Sequence, residues 1–103
     1  MFVKLSATGT VTLEDRDNFR AFKLVVEQPK TALAHVKKVL SGTILVSDTE
    51  TAWVSETALR HLSGHAHDHE WHHKLAAMIE KAKPHGWIDE VNQAIKAHIE
   101  WQE

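Results

Sequence analysis

The apolar positions change period along the chain, and each period predicts a different element. From Met1 to Leu13, Val3, Leu5, Ala7, Val11 and Leu13 share one parity, while Lys4, Ser6, Thr8, Thr10 and Thr12 share the other. Alternation in Val and Thr predicts a half-buried strand. Gly9 falls on the apolar parity and marks a bulge or bend. Residues 14–18 (EDRDN) are polar and predict a turn or one helical turn. Over 19–27 two periods compete. Phe22, Leu24 and Val26 alternate as a strand, whereas Phe19, Phe22 and Val26 fit a helical face. The Val25-Val26 pair and the early stop at Gln28-Pro29 favour a strand from Ala21.

Pro29 suits the first position of a helix, where a missing N–H costs nothing. Ala32, Leu33, Val36, Val39 and Leu40 form its apolar stripe, with His35 facing away and Ser41-Gly42 ending it. Residues 43–47 (TILVS) and 51–54 (TAWV), joined across Asp48-Thr49-Glu50, predict a hairpin. Ser55 is placed to cap a helix over 56–62, with Val54 and Leu59 spaced as a hydrophobic staple. Asp68 is placed to cap the next helix, whose stripe is Trp71, Leu75, Met78, Ile79 and Ala82, and which Pro84 and Gly86 end.

The spacing over 87–101 predicts a last helix. Trp87, Ile88, Val91, Ala94, Ile95, Ile99 and Trp101 form its core side, and Asp89 and Glu90 occupy its first turn. The expected architecture is a single α+β domain over 1–103. A small, mainly antiparallel sheet of about four strands comes from the N-terminal half, and helices from a helical C-terminal half pack on it.

Charge narrows the function classes. The formal net charge is −2, and Lys and Arg are scattered, so the concentrated positive surface that nucleic-acid binding needs is not expected. No apolar run approaches the ~20 residues of a membrane span, and the alternating start does not read as a signal peptide. The absence of Cys excludes disulfides and thiolate chemistry and fits a cytoplasmic location. Nine His, fully protonated, would carry the net charge from −2 to +7.

Five of those His fall in residues 64–74, GHAHDHEWHHK. Within it, His69-Glu70-Trp71-His72-His73 reads H-E-x-x-H. On a helix that spacing sets two His on adjacent turns to bind Zn, with the Glu as general base. The pentad resembles the motif of zinc metalloproteases over those five residues and no further. Its surroundings argue against hydrolysis. The run is rich in His, the motif opens its helix, and a wheel sets His69 and His73 opposite the apolar stripe. Glu80, His85 and His98 are the available third ligands, none at a family spacing. A softer reading is metal binding, of Zn type, through His65, His67, His69 and His73. The blandest is a solvated connection and helix face that use His.

Two residues near the C-terminus suggest a pocket. On the expected helix His98 falls within the apolar stripe, partly buried, and would line any pocket between sheet and helices. Trp101 lies where chains fray unless docked, so it should pack on its own sheet or on a second subunit. The sequence therefore favours a small, non-enzymatic binding or accessory domain that forms a homodimer. It would bind no nucleic acid or membrane and need no cofactor. The alternatives are a His-rich Zn-type metal-binding protein and a small enzyme with a pocket near His98.

Overall fold

The computed structural model describes residues 1–64 and 67–102. Among them are seven strands and three α-helices. The strands are β1 (Phe2–Leu5), β2 (Val11–Glu14), β3 (Lys23–Val26), β4 (Ile44–Val46), β5 (Thr51–Ser55), β6 (Ile88–Asp89) and β7 (Ala94–Trp101). The helices are α1 (Leu33–Leu40), α2 (Glu56–Leu62) and α3 (His69–Ala82). Six strands run in the order β2-β1-β3-β7-β5-β4, and β6 joins the sheet on β7. The sheet is curled and mixed: β1 with β3 and β3 with β7 are parallel, and the other pairings are antiparallel.

This corrects the expected architecture at both ends. The alternation over 1–13 is a hairpin, not one strand. The Gly9 N–H donates to the Ser6 carbonyl, and Gly9 itself takes the left-handed φ of 91° that the reversal needs. The register pairs Val3 with Leu13 and Leu5 with Val11, odd with odd, so the parity of the apolar face passes through the turn unchanged. Alternation alone could not reveal the break.

The second correction is larger. Residues 87–101 form β6, a turn and β7, not a helix, so the small four-stranded sheet with a helical C-terminal half is not what forms. Along β7, Ile95, Ala97 and Ile99 are buried, while Lys96, His98 and Glu100 are exposed. That is the period-two pattern of a central strand with one face on the core. Val91, assigned to the helical stripe, is 93% exposed in the turn, and Trp87 is 47% exposed. Asp89 does not sit in a helical first turn. Its carboxylate accepts the Val91 and Asn92 N–H groups and the Asn92 side-chain amide, and those bonds to Asn92 hold its carboxyl below the usual range.

Elsewhere the local signals formed the elements they predict. A 3₁₀ turn over 30–32 leads into α1, which buries Val36 and Leu40 and leaves His35 exposed. Ser55 accepts the Ala58 N–H at the start of α2, and Asp68 accepts the Trp71 N–H at the start of α3. The core face of the sheet carries rows fixed by register: Val3, Leu24 and Ile99 lie side by side, as do Val46, Ala52 and Ala97. Leu40, Leu59, Trp71, Leu75 and Ile79 from the three helices complete that core.

Candidate functional site

The candidate site arises where β7 changes partners. One edge of β7 pairs with β5 along Ala94 to His98. On the other edge β6 pairs at Ala94 and Ile95, and β3 pairs only from His98 onward. A gap is left along Lys96 and Ala97, bridged at its near end by the Lys96 N–H donating to the Trp87 carbonyl at 2.7 Å. An open cleft of about 1180 Å³ forms over this gap.

Three further segments wall the cleft. The connection before β3 supplies Phe19 and Phe22, both half-buried and packed against the core. Its path is held by the Met1 nitrogen, which donates to the Asn18 and Ala21 carbonyls at 2.9 and 3.2 Å. Helix α3 presents Ala77, Met78 and Lys81, because its inward stripe of Trp71, Leu75 and Ile79 turns that flank toward the gap. Trp71 also joins these two walls: its indole N–H donates to the Arg16 carbonyl at 2.8 Å, and its ring lies 6.1 Å from that of Phe19. Just beyond the end of α3, the His85 and Trp87 rings stack at 4.4 Å, and both residues line the cleft.

The β4–β5 turn contributes Glu50 and Thr51. Asp48 orders this turn by accepting the N–H groups of both residues at 2.7 and 2.9 Å. Those bonds, Glu50 first, hold the Asp48 carboxyl below the usual carboxylate range, and Lys37 and Lys96 add to the effect.

The electrostatics of the cleft are one-sided. Arg20, Lys74, Lys81 and Lys96 line it against two carboxylates, Asp17 and Glu50, with His85 and His98 in addition. Lys74 pairs with Glu70 along α3 at 3.2 Å. Arg20, Lys81 and Lys96 make no ion pair among the described residues.

The residues singled out by sequence are dispersed. His98 lines the cleft, but from an exposed position on a strand rather than a half-buried one on a helix. Trp101 is half-buried and docked on its own chain, its indole N–H donating to the Thr49 carbonyl at 2.7 Å, and it does not line the cleft. His65 lies outside the described residues. His67, His69 and His73 are exposed, the last two on the solvent side of α3. Among the described residues, no group of three or more His, Asp or Glu is placed to hold a metal ion.

The His of that stretch with a defined role is His72. Its Nδ1 is 2.7 Å from the Arg60 guanidinium, which donates only, so Nδ1 accepts and the ring proton sits on Nε2. Arg60 also pairs with Glu56 at 3.0 Å, and the chain of contacts ties α3 to α2.

Sequence reasoning missed Phe19, Phe22, Lys81, Lys96 and Trp87 as cleft residues. The signal that would have found two of the lining positions is the strict alternation of Lys96 and His98 with Ile95, Ala97 and Ile99. Comparison of the chain with protein-family models, curated proteins and solved structures finds no significant match.

Proposed function

We propose that this chain is a non-enzymatic binding domain of the cytoplasm and that the cleft at the β3–β6 gap is where it takes a small molecule. The observation that carries this reading is the cleft itself, about 1180 Å³, whose lining is mainly apolar and includes Phe19, Phe22 and Trp87 together with several charged side chains. Ligand sites have this character: mostly apolar lining with a few polar groups that set orientation. Among the described residues His85 and His98 make no hydrogen bond or ion pair to a carboxylate, and the lining supports binding as the simpler reading.

The test is a fragment screen read by amide chemical shifts on isotope-labelled protein. Binders are expected to move the Phe22, Lys81 and Ala97 amides together, and Ala77→Trp, which fills the cleft from the exposed flank of α3, is expected to abolish those shifts. A library that leaves these amides in place, or moves only others, would overturn the reading.

The proposal includes self-association through the outer edge of β4. That strand ends the sheet order, so its outer edge has no strand partner among the described residues, and Leu45 at its centre is 66% exposed beside Trp53 of β5. Such edges pair with other strands unless they are covered or charged. Leu45→Lys is expected to convert a dimer to a monomer in light scattering coupled to gel filtration. A wild-type monomer at ~100 µM, well above a micromolar dissociation constant, would remove this part of the proposal.

A further inference from the structure

We infer that the ligand of the cleft is an organic anion with a flat aromatic body, its carboxylate or phosphate held at the mouth by Lys81, Lys96 and Arg20. This rests on the binding-domain reading above and adds the chemistry of the ligand. The first argument is charge segregation. The chain as a whole carries −2, yet four Lys and Arg line the cleft against two carboxylates, and with Lys74 already paired to Glu70 an excess of one positive charge remains. A concave site lined by one sign concentrates ligands of the opposite sign.

The second argument is that two of these cations, Arg20 and Lys81, are unspent, while Lys96 acts on the Asp48 carboxylate. Arg20, Lys81 and Lys96 come from the connection before β3, from α3 and from β7, yet none makes an ion pair among the described residues. Three elements thus bring cations to one cleft, and those from the connection before β3 and from α3 have no ion-pair partner among the described residues. An anion entering there gains their attraction without displacing an internal carboxylate.

The third argument concerns the body of the ligand. Trp87 is 47% exposed and stacked on His85, and Phe19 and Phe22 line the same cleft. Several aromatic side chains lining one cleft favour a flat aromatic ligand, held by offset or edge contact.

The experiment is calorimetry with three probes sharing one ring system: 2-naphthoate, 2-naphthyl phosphate and the neutral 2-naphthylmethanol. Both anions are expected to bind more tightly than the alcohol by about tenfold, and the tighter of the two identifies the head group. Lys81→Glu/Lys96→Glu is expected to weaken the anions by about tenfold and to leave the alcohol unchanged, since exposed charges contribute modestly one by one. Lys38→Glu, on the exposed side of α1 and away from the cleft, serves as the folded control of equal charge type and should change nothing.

Equal binding of anions and alcohol, or charge reversal without effect, overturns the inference. If fragments move the cleft amides but the best of them are neutral or cationic, the anion inference fails and the binding-domain reading stands. If no molecule moves those amides, both fail.

Discussion

Trp71→Ala is expected to destabilise the fold by about 3–5 kcal/mol, the range for deleting a large buried aromatic with the cavity it leaves. Trp71 is 3% exposed and sits in the first turns of α3. Its side chain packs in the core, and its indole N–H reaches the Arg16 carbonyl at 2.8 Å, which ties the helix to the connection between β2 and β3. For a domain of this size, total stability is of order 5–15 kcal/mol, so the variant should lose a large part of it. Trp71→Phe separates the two contributions. It keeps most of the apolar contact and removes the indole donor from the partly buried Arg16 carbonyl, at about 1–2 kcal/mol. Urea unfolding followed by circular dichroism measures both. A loss below about 1.5 kcal/mol for Trp71→Ala would mean that α3 is not anchored as described. The same contact has a consequence for the cleft, because Phe19 leans on Trp71 and lines it. Trp71→Phe should therefore loosen that wall and weaken cleft ligands even where the protein stays folded.

What was legible in the sequence was what is decided within a few residues. Asp68 with the Trp71, Leu75, Ile79 stripe specifies α3, and Ser55 specifies the start of α2, because a cap and a stripe act over one or two turns. The β4–β5 hairpin follows from two short apolar runs and a turn ordered by Asp48. The parallel pairings of β3 with β1 and β7 were not legible, since they join segments up to about 75 residues apart through register alone. The cleft was illegible for the same reason. Its walls come from four separate stretches, and of its residues only His98 had been linked to a pocket. The H-E-x-x-H pentad, the loudest local signal, proved to be partly a packing device: Trp71 enters the core and His72 meets Arg60, while His69 and His73 face solvent.

The strand that overturned the expected fold supplies the other large effect. Ile99→Ala should cost about 2–5 kcal/mol, whereas His98→Ala, one residue away, should stay within about 0.5 kcal/mol. Ile99 is 3% exposed, lies beside Leu24 in the parallel pairing, and its N–H donates to the Glu50 carbonyl at 2.9 Å. His98 points to the opposite, exposed face. The helical reading placed His98 within the apolar stripe because a spacing of four satisfies both periods: Ile95 and Ile99 fall on one face of a helix and on one face of a strand alike. The residues that distinguish the two periods were Ala97, too small to weigh in a hydrophobic count, and Val91, which a strand-and-turn reading leaves in solvent. Only tertiary context, with partners on both edges of β7, decides between them. Paired urea titrations of the two variants would expose the period directly. A large loss for His98→Ala with a small one for Ile99→Ala would reverse the faces of β7, and with them the floor of the cleft.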